Sequence, residues 1–287
     1  MPRSSFQLMR PDTLTSSVVC ASPHSGREYA WSFMRRSDLS DLAMRSSEDA
    51  FVDVLIEDTP CFGAPLLTAT VPRAFVDLNR SDDELDPALI DGVKKVGHNP
   101  RVASGLGVIP RVVANSRAIY RGKLSQAEAR KRLHDYWHPY HDQLASLLQD
   151  ARAKFGTALL LDFHSMPHEA LENFGGLKKN RPDVVLGDRF GASASSDIVD
   201  RVEAAFANAG FKLARNTPFA GAYVTKTYGR PARNQHAIQI EIDRAIYMNE
   251  QTLTKSASFA DVKRAVTEVL VEVCDLSRGT LMPVAAE

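Results

Sequence analysis

The chain has 287 residues, 44% of them hydrophobic, and its 35 Lys and Arg residues balance 35 Asp and Glu residues to a formal net charge of zero. This balance argues against nucleic acid or an anionic membrane as the main partner, because both select basic surfaces. Cys20, Cys61 and Cys274 are too few and too scattered for a disulfide framework or a cysteine-rich zinc site, and they indicate reduced thiols in a cytoplasmic protein. No apolar run has the length of a signal peptide or a membrane span. Because 287 residues is an ordinary length for one α/β enzyme domain, we expect a single domain covering residues 1–287.

Short apolar runs predict the strands of a sheet. In chain order they cover residues 17–21, 65–71, 75–78, 107–113, 157–163 and 236–242. The run 157–163 is almost wholly apolar, as expected for a central strand that is covered on both faces. The run 236–242 alternates instead, with Ile238, Ile240 and Ile242 on one face and Gln239 and Glu241 on the other.

Helical periodicity appears between these runs. A long helix is predicted over 125–151, where Ser125 and Glu128 form a capping-box pattern and Pro139 should kink or divide the helix. The pattern places His138 and His141 on the polar side of that helix. Further helices are predicted over 48–58, 197–209 and 258–276. Strands alternating with helices indicate an α/β sandwich around a parallel or mixed sheet, in which functional sites collect at the carboxyl ends of strands.

Two histidines occupy such positions. His24 follows the strand 17–21, and His164 follows the strand 157–163. Imidazole is a common zinc ligand, and a catalytic zinc usually takes three protein ligands. The alternative is that each histidine only caps its turn. A carboxylate would complete the set of ligands, and the candidates are Glu28, Glu48 and Asp49. The sequence alone does not choose between them. The alternative is that an acid in a first helical turn only interacts favourably with the helix dipole.

Two further positions are candidates for substrate binding and catalysis. Asn79 and Arg80 end the predicted strand 75–78, where an arginine can bind a carboxylate through two parallel hydrogen bonds. An arginine in a loop is more often a solvated surface charge. Glu241 is a carboxylate among isoleucines, so it either forms a salt bridge with a residue such as Arg244 or accepts a proton as a general base.

Six stretches in one order carry a family resemblance. They are SPHSGREY (22–29), FVDLNR (75–80), LLLDFHSMP (159–167), VVLGDRFG (184–191), FAGAYVTKTYGRP (219–231) and HAIQIEIDRAIYM (236–248). Together they resemble the N-formylglutamate amidohydrolases, a family that is itself similar to zinc carboxypeptidases and aspartoacylases. The resemblance covers most of the chain.

The resemblance implies a zinc-carboxypeptidase-like fold, a three-layer α/β/α sandwich with a mixed, mostly parallel sheet. It also implies one Zn²⁺ per chain and assigns roles to residues of the matching stretches. Asp49 is the preferred third ligand and Glu28 its rival. The segment 221–231 is expected to form a mobile loop over the site, with a plain surface hairpin as the alternative. The implied set is His24, Asp49 and His164 for the metal, Glu241 as general base, and Asn79 and Arg80 for the substrate carboxylate. From the segment 221–231, Thr225, Lys226 and Arg230 are expected to supply further polar contacts to the substrate.

The implied reaction is hydrolysis of N-formyl-L-glutamate or a related N-acyl acidic amino acid, a small-molecule substrate. Histidine-degrading members carry an Asp-Thr-Asp-Trp-His stretch where this chain reads Ser-Ser-Glu-Asp-Ala-Phe at 46–51. This departure concerns the particular substrate and leaves the implied metal chemistry unchanged. The alternatives are a zinc carboxypeptidase or peptide amidase on the same scaffold, and a metal or amino-acid binding protein without catalysis.

Overall fold

The computed structural model describes residues 4–94, 99–172 and 181–278. Apolar runs that bury both faces form its longest strands, as the wholly buried segment 158–166 shows. The strands are β1 (Phe6–Met9), β2 (Val18–Ser22), β3 (Leu66–Ala69), β4 (Val112–Val113), β5 (Arg117–Ala118), β6 (Ala158–Met166), β7 (Val184–Gly187), β8 (Leu213–Arg215), β9 (Gln235–Asp243), β10 (Met248–Asn249) and β11 (Thr254–Lys255).

Seven of these strands form one sheet in the order β1-β3-β2-β6-β9-β7-β8. Strand β6 pairs in parallel with β2 on one side and with β9 on the other, and β7 pairs in parallel with β8. The pair of β7 and β9 is antiparallel. The expected α/β class with a mixed, mostly parallel sheet is confirmed. Two-stranded sheets join β4 to β5 and β10 to β11.

The helices differ widely in length. They are α1 (Trp31–Met34), α2 (Asp41–Met44), α3 (Val52–Leu55), α4 (Pro100–Ala103), α5 (Gln126–Arg132), α6 (His138–Phe155), α7 (Ser196–Asn208), α8 (Tyr223–Tyr228) and α9 (Phe259–Arg278). The described residues form two compact units. One takes its residues from Met1–Gln7, Ser22–Ala50 and Thr68–Gln143, and the other from Leu8–Ala21, Phe51–Leu67 and Leu144–Glu287. The single domain stays a prediction.

In the second unit, α7 packs against α9, and both helices bury valines, which include Val199, Val202 and Val269. These side chains recur three or four residues apart along each helix, so each helix presents one apolar stripe to the core. Among the described residues, no helix combines the length and the apolar character that crossing a bilayer requires.

The long predicted helix is present in two parts. Ser125 accepts a hydrogen bond from the backbone N–H of Glu128, which confirms the serine half of the predicted capping box, while the carboxylate of Glu128 accepts from Arg36 and Arg132. Gly156 ends α6 in the left-handed region with a φ of 73°. A π-helical turn over Leu133–Trp137 separates α5 from α6, just before Pro139. The interruption thus lies where proline removes a backbone donor.

Several predicted elements are wrong. Residues 75–78 are irregular rather than a strand, and 107–113 contributes only the short β4. The predicted helix over 48–58 is reduced to α3, which begins three residues after Asp49. The predicted loop 221–231 contains helix α8. His141 is buried rather than on a polar face.

Candidate metal centre and active site

His24 lies in a turn two residues beyond the end of β2. Gly26 allows this turn to lie close against the backbone of Val71, because a Cβ at Gly26 would sit 2.1 Å from the Val71 carbonyl oxygen. The backbone N–H of Asp49 donates to the carbonyl oxygen of His24 at 3.0 Å. The side chains of the same two residues are also close, with Oδ2 of Asp49 at 3.5 Å from Nδ1 of His24. Backbone contacts therefore fix the carboxylate of Asp49 beside one ring nitrogen of His24.

The other ring nitrogen of His24 faces Asp77. The distance from Nε2 of His24 to Oδ1 of Asp77 is 2.7 Å, and both side chains are buried. Complete burial raises the pKa of the Asp77 carboxyl, but the charges of His24 and Arg73 and the hydrogen bond from His24 outweigh burial and hold that pKa well below its usual range. An ionised carboxylate only accepts, so Nε2 of His24 is the donor to Asp77, and in the neutral ring a metal would find the lone pair of Nδ1 on the side of Asp49.

His164 has a carboxylate partner of the same kind. It lies on β6, two residues after Asp162, and residues two apart on a strand share one face of the sheet. Nε2 of His164 lies 3.0 Å from Oδ2 of Asp162, and both residues are buried. A ring N–H that donates to a carboxylate fixes the tautomer and leaves Nδ1 as the nitrogen available to a metal.

Within the described residues, His24, Asp49 and His164 form a group in which one ligand atom of each lies within 4.8 Å of the others. Two imidazoles and a carboxylate are a known donor set for catalytic zinc. Ligand atoms about 2 Å from a tetrahedral ion are about 3.3 Å apart, and the 3.5 Å from Nδ1 of His24 to Oδ2 of Asp49 is close to that spacing. Carboxylates behind metal-binding imidazoles are also a common arrangement. The residues fit a zinc ion.

The other two candidate carboxylates are placed differently. Glu28 is exposed and is not a member of this group. Glu48 is buried, but its two oxygens accept from the guanidinium of Arg45 at 2.7 Å and 3.1 Å, and the hydroxyl of Tyr29 donates to it at 3.1 Å. A carboxylate occupied in this way serves the local fold.

Glu241 lies on β9 directly beside His164. The two residues are register partners in the parallel pair of β6 and β9, so their side chains lie on the same face of the sheet. The amide of Gln239 donates to Oε1 of Glu241 at 2.7 Å, and both side chains are buried. Arg244, the alternative salt-bridge partner of Glu241, donates to the hydroxyl of Ser165 and has Glu250 at 3.9 Å. The strand places a buried carboxylate next to a candidate ligand.

Arg80 is a buried cation. Its Nε lies 4.0 Å from Oδ2 of Asp77, beyond hydrogen-bond distance, and has no hydrogen-bond partner in the part of the chain that the structure describes. Burial lowers the pKa of Arg80, although the charge of Asp77 opposes this. Asn79 is buried next to it, and its backbone N–H donates to Oδ1 of Asp77. A buried guanidinium with an unused donor is suited to an anionic ligand.

Side chains of one helical segment hold the backbone that carries Arg80. Arg132 donates to the carbonyl oxygen of Phe75, Trp137 to that of Arg80 and His141 to that of Leu78, at 3.1 Å, 2.9 Å and 2.9 Å. Residues five apart on an α-helix are rotated by about 140° from each other. The intervening π-helical turn, in which the N–H of residue 138 donates to the carbonyl of Leu133, lets positions 132 and 137 face the same segment.

The remaining predicted substrate contacts lie in or after α8. Thr225 is fully buried, and its hydroxyl donates to the carbonyl oxygen of Ala222 at 3.1 Å. Arg230 is exposed, and one of its terminal nitrogens donates to the carbonyl oxygens of Lys226 and Gly229. Their roles toward a substrate stay predictions.

Sequence reasoning assigned no role to Asp77, Asp162 and Gln239, which contact His24, His164 and Glu241 respectively. A usable signal was present for two of them. Asp162 and Gln239 are polar residues in otherwise apolar strands, each two positions before a candidate residue and so on its face. Asp77 has no such signal, because it lies in an irregular segment far from His24 in the sequence.

A sequence model of the N-formylglutamate amidohydrolase family matches residues 16–248. The chain belongs to this family. Among N-formylglutamate deformylases, that of Pseudomonas aeruginosa is 35% identical over 215 residues, which are 73% of this chain and 74% of the relative. The one from Pseudomonas putida is 29% identical over 259 residues, 89% and 91% of the two chains.

A solved structure agrees with this membership of the amidohydrolase family. The N-formylglutamate amidohydrolase from Ralstonia eutropha JMP134 has a TM-score of 0.89 and 34% sequence identity, and the likeness covers 96% of this chain and 99% of that one. The α/β fold of the chain is therefore the fold of a solved N-formylglutamate amidohydrolase.

Proposed function

We propose that the chain is a zinc-dependent amidohydrolase that cleaves N-formyl-L-glutamate, or a related N-acyl acidic amino acid, into a carboxylic acid and the free amino acid. The observation that carries this proposal is the group of His24, Asp49 and His164, with a carboxylate behind each imidazole. The names of the Pseudomonas relatives support the choice of substrate.

Arg80 supplies the selectivity for an acidic amino acid. Its guanidinium is buried and its Nε is unused in the described residues, so a substrate carboxylate gives it a charge-assisted hydrogen bond that water supplies less well. Arg80 is connected to His24 through Asp77, which lies 2.7 Å from the ring of His24 and 4.0 Å from Nε of Arg80. The anchored carboxylate thus lies a fixed distance from the metal ligands, and binding energy orients the scissile amide.

Glu241 acts as the general base and then the general acid. Its position beside His164 brings the carboxylate to the face of the sheet that carries the ligand. A zinc ion supplies a Lewis acid that polarises the amide carbonyl and lowers the pKa of water toward about 7. Glu241 accepts the proton of the attacking water and delivers it to the departing amine nitrogen.

The experiment combines metal analysis of the purified protein with an assay of formate release. We expect close to one zinc per chain, loss of activity on chelation, and recovery when zinc is restored. N-formyl-L-glutamate should be cleaved in preference to N-formyl-L-leucine and to unmodified peptides. Cleavage of peptides without release of formate would instead indicate a peptidase, and a metal-free protein with full activity would refute the zinc proposal.

Two variants separate the roles of the residues. Glu241→Gln should retain zinc and lose about 10²-fold or more in turnover, the usual scale for loss of a general base. Arg80→Ala should mainly raise KM for the acidic substrate. Its control is Arg101→Ala, which also removes one positive charge. Arg101 is exposed, and its charge lowers the pKa of Arg80, but it does not lie at the buried position of Arg80. Equal effects of the two arginine variants would refute the anchor role.

A further inference from the structure

The buried amide of Gln239 joins two parts of the second unit. Its Oε1 accepts a hydrogen bond from the backbone N–H of Ala222 at 3.1 Å, and its Nε2 donates to Oε1 of Glu241 at 2.7 Å. The N–H of Ala222 can only donate, so the oxygen of the amide must face Ala222 and the NH₂ group must face Glu241. The orientation of Gln239 is therefore fixed by the backbone.

The backbone at Ala222 is itself held against the sheet. Gly187 on β7 is the register partner of Gln239, and a Cβ at Gly187 would lie 2.7 Å from the carbonyl carbon of Ala220 and 2.8 Å from the nitrogen of Gly221. The backbone N–H of Arg189 also donates to the carbonyl oxygen of Ala220 at 2.8 Å. A glycine on the sheet thus lets the segment before α8 approach closely enough for Ala222 to reach Gln239.

From these contacts we propose that Gln239 is a positioning residue that holds the carboxylate of Glu241 in its working orientation. The proposal rests on the proposed function, in which Glu241 is the base. Gln239 donates to one carboxylate oxygen and so restrains rotation of the carboxylate, while Ala222 restrains Gln239. The start of α8 is in this way connected to the base by two hydrogen bonds. Because Gln239 contacts the base, its loss affects turnover rather than the affinity for the substrate carboxylate.

The same strand provides a matched control. Gln235 also lies on β9, on the same face as Gln239 by the alternation of the strand, and its amide donates to the carbonyl oxygen of Tyr228 at 2.7 Å. Gln239 therefore contacts the start of α8 and Gln235 contacts its end. Substitution of either glutamine removes a contact to α8, and substitution of Gln239 also removes the hydrogen bond to Glu241.

The test compares kcat, KM and bound zinc in Gln239→Met, Gln239→Leu and Gln235→Met. The Gln239→Leu variant also removes the donor to Glu241 and adds no charge beside it, so it serves if the methionine variant does not fold. We expect both Gln239 variants to lose between about tenfold and 10²-fold in kcat with KM and zinc content unchanged, as for a modest misplacement of a reacting group. Gln235→Met should keep the kcat of the wild type.

Two results would overturn the positioning role. One is an unchanged kcat in both Gln239 variants while Glu241→Gln is inactive. The other is an equal loss in Gln235→Met, which would assign the effect to α8. Crystal structures of the variants decide the matter separately from catalysis: the side chain of Glu241 should move or take several conformers in Gln239→Met and remain in place in Gln235→Met. An unmoved Glu241 would overturn the inference, whereas an active Glu241→Gln variant would overturn only the assignment of the base.

Discussion

Replacing Asp77 by asparagine should weaken zinc binding without removing a ligand. Oδ1 of Asp77 accepts from Nε2 of His24 at 2.7 Å and from the backbone N–H of Asn79 at 2.8 Å, and Oδ2 accepts from Arg73 at 3.1 Å. Asparagine keeps one acceptor oxygen, so the hydrogen bond to His24 can persist, but the negative charge behind the imidazole is lost. His24 then becomes a poorer ligand because its ring is less basic.

The size of the effect follows from this one hydrogen bond. A hydrogen bond to a charged partner contributes about 1.5–3 kcal/mol, against about 0.5–1.5 kcal/mol for a neutral one. The difference of about 1–1.5 kcal/mol corresponds to about a tenfold loss of zinc affinity, which agrees with the 10- to 100-fold range for residues that support metal ligands.

A competition titration against a chromophoric zinc chelator measures this affinity, and Asp86→Asn is the matched control. Asp86 is also a buried aspartate, and it accepts from Arg111 at 2.8 Å and from the backbone N–H of Ala88 at 2.8 Å, but it is not in the group of ligands. Both variants should lose folding stability, and only Asp77→Asn should lose zinc affinity. An unchanged affinity in Asp77→Asn, or the same loss in both variants, would show that the carboxylate does not support His24.

Three further predictions concern stability, each measured by chemical denaturation. Burial lowers the pKa of His141 to about 3, so His141 stays neutral in the folded state while the unfolded chain takes up a proton as the pH falls. The contribution of this residue to the free energy of unfolding is complete above about pH 6.5 and is lost as the pH drops toward about 3. The loss is about 2 kcal/mol between about pH 6.5 and 5. The variant His141→Gln should lack that component, and an identical pH dependence in variant and wild type would contradict the assignment. Ser125→Ala should cost about 1 kcal/mol through loss of the cap on α5, whereas an unchanged stability would mean that the cap contributes nothing. Gly187→Ala should cost about 1–3 kcal/mol because its Cβ meets the backbone of Ala220, while Gly122→Ala, which has open space around it, should be close to neutral.

The elements that the sequence predicted well are those whose buried residues are close together in the sequence. The apolar runs that became β2, β3, β6 and β9 were found because the residues buried in a strand follow one another directly. The run 75–78 looks similar but is irregular, and its carbonyl oxygens at Phe75 and Leu78 accept from the side chains of Arg132 and His141. Such partners lie more than fifty residues away, where a local pattern carries no information about them.

The candidate site shows the same division. The strand ends led to His24 and His164, and the family resemblance favoured Asp49 over Glu28. The backbone contact between Asp49 and His24 supports that preference. Both acids lie in plausible sequence positions. Only the folded chain shows that Glu28 is exposed while Asp49 is buried with its oxygen near Nδ1 of His24.

The π-helical turn at Leu133–Trp137 limits how this helix can change. Deleting one residue there would give a continuous α-helix with more regular hydrogen bonds and, by itself, a more favourable local conformation. Every side chain beyond the deletion would then rotate by about 100° relative to those before it. Arg132 and Trp137 could then no longer both donate hydrogen bonds to the backbone of residues 75–80. A homologue shortened by one residue here would have a more regular helix but would lose hydrogen bonds to the backbone that carries Arg80. Directed evolution for thermal resistance should therefore tolerate substitutions in this turn far better than single-residue deletions.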